Sequence, residues 1–280
     1  MSVNSVDVPV SVVVPCFRCA NTIQRAVDSI LNQTQKPAEV ILVDDASGDN
    51  TLKVLRGLES QYQGWIKIIA LNVNAGAASA RNAGWTIARQ PYIAFLDADD
   101  SWHPQKLYIQ YEFMLNHTDI VLCGHKSLWF RKNEDVPAIP VIAHVSKISA
   151  RGLLFKNAFS TPTVMIKRDI PYRFLEKKRY AEDFLLWQQV AWAGLNVVRI
   201  ESTLAYMHKP AYGAAGLSAQ MWSMEKGELG NFVFLYQEGY INLLYFFVSA
   251  MFSIAKFFKR LLLNKTSRFF LVCIKKSNAN

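Results

Sequence analysis

The chain has 280 residues, 51% of them hydrophobic, enough for one large or two small domains with a sizeable core. Four cysteines make no disulfide framework, and MSVNSVDVPV at the start lacks the basic residues and long apolar run of a secretory leader, so a reducing compartment is expected. The net charge of +9 lies mostly at one end: no acid follows Glu238, whereas Lys256, Lys259, Arg260, Lys265, Arg268, Lys275 and Lys276 do. That distribution argues against a basic, nucleic-acid-binding body and for a tail that meets a negatively charged membrane surface.

The predicted elements alternate. VPVSVVVP (8–15) reads as a buried strand, and NTIQRAVDSILNQ (21–33) carries Ile23, Ala26, Val27, Ile30 and Leu31 at helical spacing. EVILVDD (39–45) is a second strand and NTLKVLRGLESQ (50–61) a second helix. WIKIIAL (65–71), AASARNAGWTIAR (77–89) and YIAFL (92–96) follow as strand, Ala-rich helix and strand. Residues 104–115 read as helix, 119–130 as strand, 131–140 as a polar loop and 161–168 as strand. Residues 181–194 read as a helix ended by Gly194, and 212–219, YGAAGLSA, as a flexible small-residue segment. Short links between strands and helices imply an α/β fold, a mostly parallel Rossmann-like sheet with helices on both faces. Cys16 and Cys19 form a C-x-x-C pair with no second pair; two small residues in a strand-to-helix turn are favoured over a redox or metal site.

In such sheets ligands sit beyond the carboxyl ends of the strands. Here those ends hold Pro15, Cys16 and Phe17, then Asp44 and Asp45, then Asp97, Asp99 and Asp100. Carboxylates two residues apart past a strand end can converge on a hard cation, Mg²⁺ or Mn²⁺, whose shell phosphate oxygens complete. The alternative, an acidic helix start, suits Asp100 and explains Asp97 and Asp99 poorly. In NVNAGAASARNAG (72–84), Gly76 opens a helix whose free N–H groups favour phosphate, and Arg81 could add positive charge.

Five segments in order resemble glycosyltransferase family 2, enzymes of the GT-A fold. They are VSVVVPCFRCANTIQRAVDSILNQT, ILVDDASGDNT, NAGAASARNAG, YIAFLDADDSWHPQKL and YAEDFLLWQQVAWAG, spanning about residues 9–194. The resemblance implies an inverting, metal-dependent transfer from a nucleotide-sugar, a UDP-sugar being expected, to an acceptor hydroxyl. It implies that Phe17 stacks on the donor base and Asp45 bonds it, with Pro15 and Asp44 beside them. Asp97 would face the ribose or sugar, Asp99 would hold the metal, Asp183 would be the base and Glu182 would lie near the acceptor. His208, in LAYMHKP, stands where some relatives place a phosphate- or metal-contacting residue, a surface histidine being the alternative. One departure from the family pattern is Arg18, where Asn is usual; it bears on donor identity.

A GT-A-type domain over 1–218 is expected, followed by a basic, helical, membrane-associated segment over 219–280 that the charge distribution marks. Saccharide or lipid-linked acceptors and a role in envelope polysaccharide or lipid-linked oligosaccharide synthesis are expected. Residues 239–255, GYINLLYFFVSAMFSIA, carry no charge. As a helix they reach about 26 Å, short of a hydrocarbon core of about 30 Å. An interfacial or re-entrant helix on the cytoplasmic face of the plasma membrane is therefore expected, the alternative being a helix packed on its own domain. A phospho-accepting receiver domain and a non-catalytic nucleotide-sugar-binding protein are the rival functions; both leave part of the acidic set unexplained.

Overall fold

A computed structural model describes residues 7–129, 144–208 and 220–277, with residues 263–277 as backbone only. The segments 131–140 and 212–219 lie outside the described residues. The first half follows the alternation: β1 (Val8–Cys16), α1 (Ile23–Leu31), β2 (Pro37–Asp44), α2 (Thr51–Gln61), β3 (Ile66–Ala70), α3 (Ala77–Ile87) and β4 (Tyr92–Phe95). Then come β5 (Ser101–Trp102), α4 (Lys106–Asn116), β6 (Ile120–Trp129), β7 (Val145–Lys147), β8 (Met165–Lys167), α5 (Glu182–Trp192) and β9 (Asn196–Met207). Two helices close the chain, α6 (Met221–Gln237) and α7 (Leu243–Ser277).

One sheet runs in the order β3-β2-β1-β4-β8-β6-β9-β5, with β7 on β9. Strands β3, β2, β1 and β4 are parallel, while β8 is antiparallel to both its neighbours and β6 is parallel to β9. The chain steps outward from β1 to β3, then returns to β4 on the other side of β1. The crevice beyond β1 and β4 is thus the switch point at which open α/β sheets bind ligands.

Strand periodicity divides the core. Val10, Val12, Val14, Val40 and Leu42 face α1, α2 and α4, through Ile23, Ile30, Leu55, Leu58 and Leu107. Val13, Ile41, Val43 and Phe95 face α3 and α5, through Trp85, Phe184, Leu186 and Trp187. A third cluster, Leu154, Leu185, Phe232, Leu235 and Ile241, fixes α6 against α5.

Three expectations change. Residues 161–168 are not all strand: Pro162 lies in a 3-10 turn, Thr161–Thr163, and only Met165–Lys167 pair. The last helix starts at Leu243 and not at 239, because Gly239 turns the chain at φ 74°. It also continues through Lys256, Lys259 and Arg260, well past the uncharged run. Strand β9 was not anticipated; it holds β6, β5 and β7 together.

Helix α3 approaches the sheet closely only because residue 84 is glycine: a Cβ there would lie 2.5 Å from Val13 Cγ1. Gly57, in α2, would place a Cβ in open space. Gly84→Ala is expected to destabilise the protein by about 1–3 kcal/mol through overpacking. Gly57→Ala is expected to stabilise it by about 0.5–1 kcal/mol. Urea denaturation of the two variants checks both signs.

Candidate active site

The site is built on the carboxyl edge of β1, β2 and β4. Past β1, Phe17 stands 47% exposed, an accessible ring at the rim, and Pro15 is half-buried within the strand opposite Val43. Arg18 follows with φ 48°, a conformation that among non-glycine residues suits Asn best. Replacing the family's Asn with Arg therefore adds backbone strain, which hydrogen bonds offset. Arg18 N donates to Ser47 Oγ at 3.0 Å and Nε to Ser47 O at 3.3 Å, while the guanidinium lies 5.2 Å from the Phe17 ring centre. Ser47 Oγ in turn donates to Asp44, which is buried. Asp44 thus ties the loop after β2 to the loop after β1.

Asp45 is also buried, and its carboxylate faces the loop before α3. Oδ1 accepts from Ala75 N at 2.8 Å; Oδ2 accepts from Gly76 N at 2.8 Å and Asn74 Nδ2 at 3.0 Å. Gly76, at φ 89°, caps α3. The N–H offered to a phosphate in the sequence reading is therefore already bonded to Asp45, which supplies the negative charge that a helix N-terminus favours.

Arg81, on the buried side of α3, links the two ends of the site. Its Nη2 donates to Asp97 Oδ1 at 2.8 Å and its Nη1 to Glu182 Oε1 at 2.9 Å. The Phe174 ring lies 5.4 Å from its guanidinium carbon. The sequence reading gives this charge to a donor phosphate; the structure gives it to Asp97 and Glu182. Burial opposes the charge on Arg81, but the two carboxylates outweigh it and hold the guanidinium protonated beyond its ordinary range. Burial lifts Glu182 above the usual carboxylate range despite Arg81.

Asp183 follows at the start of α5. The turn into this helix puts Ala181 at φ 54°, and α6 holds it there: Asn231 Nδ2 donates to Ala181 O at 3.0 Å and Lys178 Nζ to Gly227 O at 3.1 Å. Gly227 is required, since a Cβ would lie 2.6 Å from Tyr180 O. Asp183 is half-buried; Oδ2 accepts from Thr161 Oγ1 at 3.1 Å and Oδ1 from its own helix at Phe184 N, 2.7 Å. Burial raises its pKa, with Arg81, these bonds and the charge of Asp97 as smaller influences.

Asp97, Asp99 and Asp100 leave β4 in a turn closed by Asp100 N donating to Asp97 O at 3.0 Å. Burial first, then repulsion from Asp97 and Asp99, pushes the Asp100 carboxyl up to about 8. Arg25 donates to the backbone carbonyl of Asp99. His208 joins this turn: Nε2 lies 2.8 Å from Ser101 Oγ, and its N donates to Asp100 Oδ1 at 3.4 Å. Among the described residues no group of three or more His, Cys, Asp or Glu forms a metal cage. Mg²⁺ and Mn²⁺ do not need one, because they bind through one or two protein ligands plus substrate phosphates. The hard carboxylate oxygens that Asp97, Asp99 and Asp100 bring to one turn fit such an ion.

The structure thus brings Asp97, Arg81, Glu182 and Asp183 into one cluster, with Asp99 and His208 on the adjoining turn. Phe17, Asp44 and Asp45 lie apart from it, at the carboxyl ends of β1 and β2. Sequence reasoning missed Thr161, Asn231 and Arg25, whose partners lie far off along the chain. It also missed Arg179, which donates to Asn74 Oδ1 at 3.2 Å from the rim. Cys16 and Cys19 are free and buried in the strand-to-helix turn.

The glycosyl transferase family 2 model matches residues 11–160, more than half of the chain. The protein belongs to that family and is a glycosyltransferase; the receiver-domain alternative falls away. It is similar to the UDP-Glc:alpha-D-GlcNAc-diphosphoundecaprenol beta-1,3-glucosyltransferase WfaP of Escherichia coli, 31% identical over 190 residues, covering 66% of this chain and 71% of the relative. Among solved structures, S. aureus TarS 1-349 in complex with UDP superposes with a TM-score of 0.60 at 19% identity, over 80% of this chain. This chain spans 65% of that one, under two thirds of its length. The mannosyltransferase PcManGT from Pyrobaculum calidifontis in complex with GDP-Man and Mn²⁺ gives a TM-score of 0.62 at 17% identity, over 94% of this chain and 80% of that one. At these identities the structural likeness is one of fold alone.

Arg81→Ala leaves two carboxylates facing each other where Arg81 is 5% exposed and Glu182 10%. Stability is expected to fall by about 3–5 kcal/mol. The deficit should shrink as pH falls, since protonation removes the uncompensated charges. Denaturant titration at neutral and acidic pH checks both.

Proposed function

We propose that this glycosyltransferase moves a sugar, with inversion, from a UDP-sugar to a hydroxyl of a lipid-linked saccharide in the synthesis of a cell-envelope polysaccharide. It works on the cytoplasmic side of the plasma membrane with Mg²⁺ or Mn²⁺. One observation carries the reading: Arg81 draws Asp97, at the end of β4, to Glu182, beside Asp183. Donor-side and acceptor-side carboxylates are thereby fixed within one cluster. The names of the relatives support the substrates, one acting on a diphosphoundecaprenol-linked sugar and another structure holding UDP.

In this reading Phe17 takes the uracil on its exposed face, and Asp45, whose carboxylate is already bonded to the loop before α3, shapes the loop and does not bond the base. Asp97 faces the ribose or sugar, and Asp99, with His208, would hold the cation. When bound, that ion supplies Lewis-acid stabilisation of the leaving nucleoside diphosphate. Asp183 takes the proton from the acceptor hydroxyl, whose oxygen forms a bond to the anomeric carbon as the bond to the diphosphate breaks. A single displacement inverts that carbon. Thr161 and the helix N–H orient Asp183, and burial makes it a stronger base than a free aspartate.

Three measurements follow. UDP binding by calorimetry is expected with Mn²⁺ and lost with chelator; equal affinity in both overturns the metal role. Asp183→Asn is expected to keep UDP binding and to lower transfer by about 10³-fold or more, since the amide cannot accept the proton. The base must be ionised, so transfer should rise with pH along a limb whose midpoint lies above the ordinary aspartate value of about 3.9. A limb at or below that value contradicts the assignment.

A further inference from the structure

Helix α7 buries polar groups and exposes large apolar ones. A surface helix normally turns its apolar stripe inward and its polar side to solvent. Here the side against α6 and the catalytic body carries Ser249, Ser253 and Lys256 among Phe246, Ala250 and Phe257. Ser249 and Ser253 are fully buried. Ser253 Oγ donates to Glu225 Oε1 of α6 at 2.8 Å, and Lys256 Nζ to Glu228 Oε1 at 2.7 Å and Phe155 O at 3.0 Å. The outward side carries Leu244, Phe247, Val248, Met251, Phe258 and Leu262, recurring at three-, four- and seven-residue spacing, all between 44% and 71% exposed. Trp222 of α6, 58% exposed, packs its ring 5.4 Å from Phe257 and extends this surface.

We propose that the outward face of α7 lies in the interfacial layer of an anionic lipid bilayer. Charge decides between occupants. Lys259 is exposed beside the stripe, and by sequence Lys265, Arg268, Lys275 and Lys276 follow on the same helix without an acid. Anionic headgroups complement that set, whereas a second copy of the chain would bring two such segments together with nothing to neutralise them. No helix among the described residues is long and apolar enough to cross a membrane. The helix therefore lies in the interface plane, which its 35 residues suit. The inference deepens the proposed function and rests on its lipid-linked acceptor. Helix α6 carries α7 on one side and, through Asn231 and Gly227, holds the start of α5 on the other. Glu182 and Asp183 are thus one helix away from the lipid surface.

The test is flotation of the full-length protein with vesicles of phosphatidylcholine alone or mixed with phosphatidylglycerol. UDP binding with Mn²⁺ is measured on the same samples. The protein is expected to float with the anionic vesicles, less so as salt rises. A variant carrying Phe247→Glu, Met251→Glu and Phe258→Glu is expected to lose vesicle binding by at least about tenfold. It should keep its circular dichroism and UDP binding. The proposal is overturned if the wild type stays in solution with anionic vesicles at low salt, or if the variant floats as well as the wild type. It is also overturned if the wild type is a stable dimer without lipid that the variant splits. Loss of UDP binding in the wild type with vesicle binding intact would count against the donor reading and leave the membrane face standing.

Discussion

A single buried guanidinium holds this site together. Arg81 comes from α3, Asp97 from the end of β4 and Glu182 from the start of α5, and the two carboxylates meet on one side chain at 2.8 and 2.9 Å. Two acids brought together out of water repel each other and resist desolvation. A delocalised, permanently charged fork between them offsets that repulsion and fixes both in place. That constraint sets the distance between the end of the parallel sheet and the helix that carries Asp183. It also accounts for the helix start being strained at Ala181 and braced by α6: Glu182 must reach inward to Arg81 while Asp183, next to it, turns to Thr161.

The same logic divides the acids of the carboxyl edge by task. Asp44 and Asp45 are consumed internally, one by Ser47 and the other by the N–H groups of Ala75 and Gly76. They shape the loops at this edge of the sheet. Asp97 is balanced by Arg81. The turn from Asp97 to Asp100 gathers three carboxylates, and burial first, then repulsion from Asp97 and Asp99, pushes the carboxyl of Asp100 up to about 8. In the proposed reading a cation arriving with a diphosphate would ease that repulsion, so the metal and the donor would bind together.

Much of this was legible in the sequence because it is periodic or local. The Val-rich strands, the spacing of Ile23, Val27 and Ile30, and the acids beyond β2 and β4 all follow from short-range pattern. What was not legible depends on partners far along the chain. Thr161 reaches Asp183 across 22 residues, and Arg81 reaches Glu182 across 101. Strands β5 and β7 are too short to carry a pattern, and β9 mixes Arg199, Glu201 and Thr203 among its apolar residues because several strands meet it at different points. The apolar run after Gly239 was visible, but which of its sides faces the protein was not. Orientation follows from Ser249, Ser253 and Glu225, whose buried pairing only the fold reveals.

The most direct measurement is a crystal structure of the full chain with UDP and Mn²⁺. The account predicts uracil on Phe17, the diphosphate and metal at Asp99, and Arg81 still gripping both Asp97 and Glu182 while Asp183 faces the open cleft. A structure in which Arg81 releases the two carboxylates to bind the diphosphate, or in which the nucleotide sits away from the β1–β4 crevice, would contradict it.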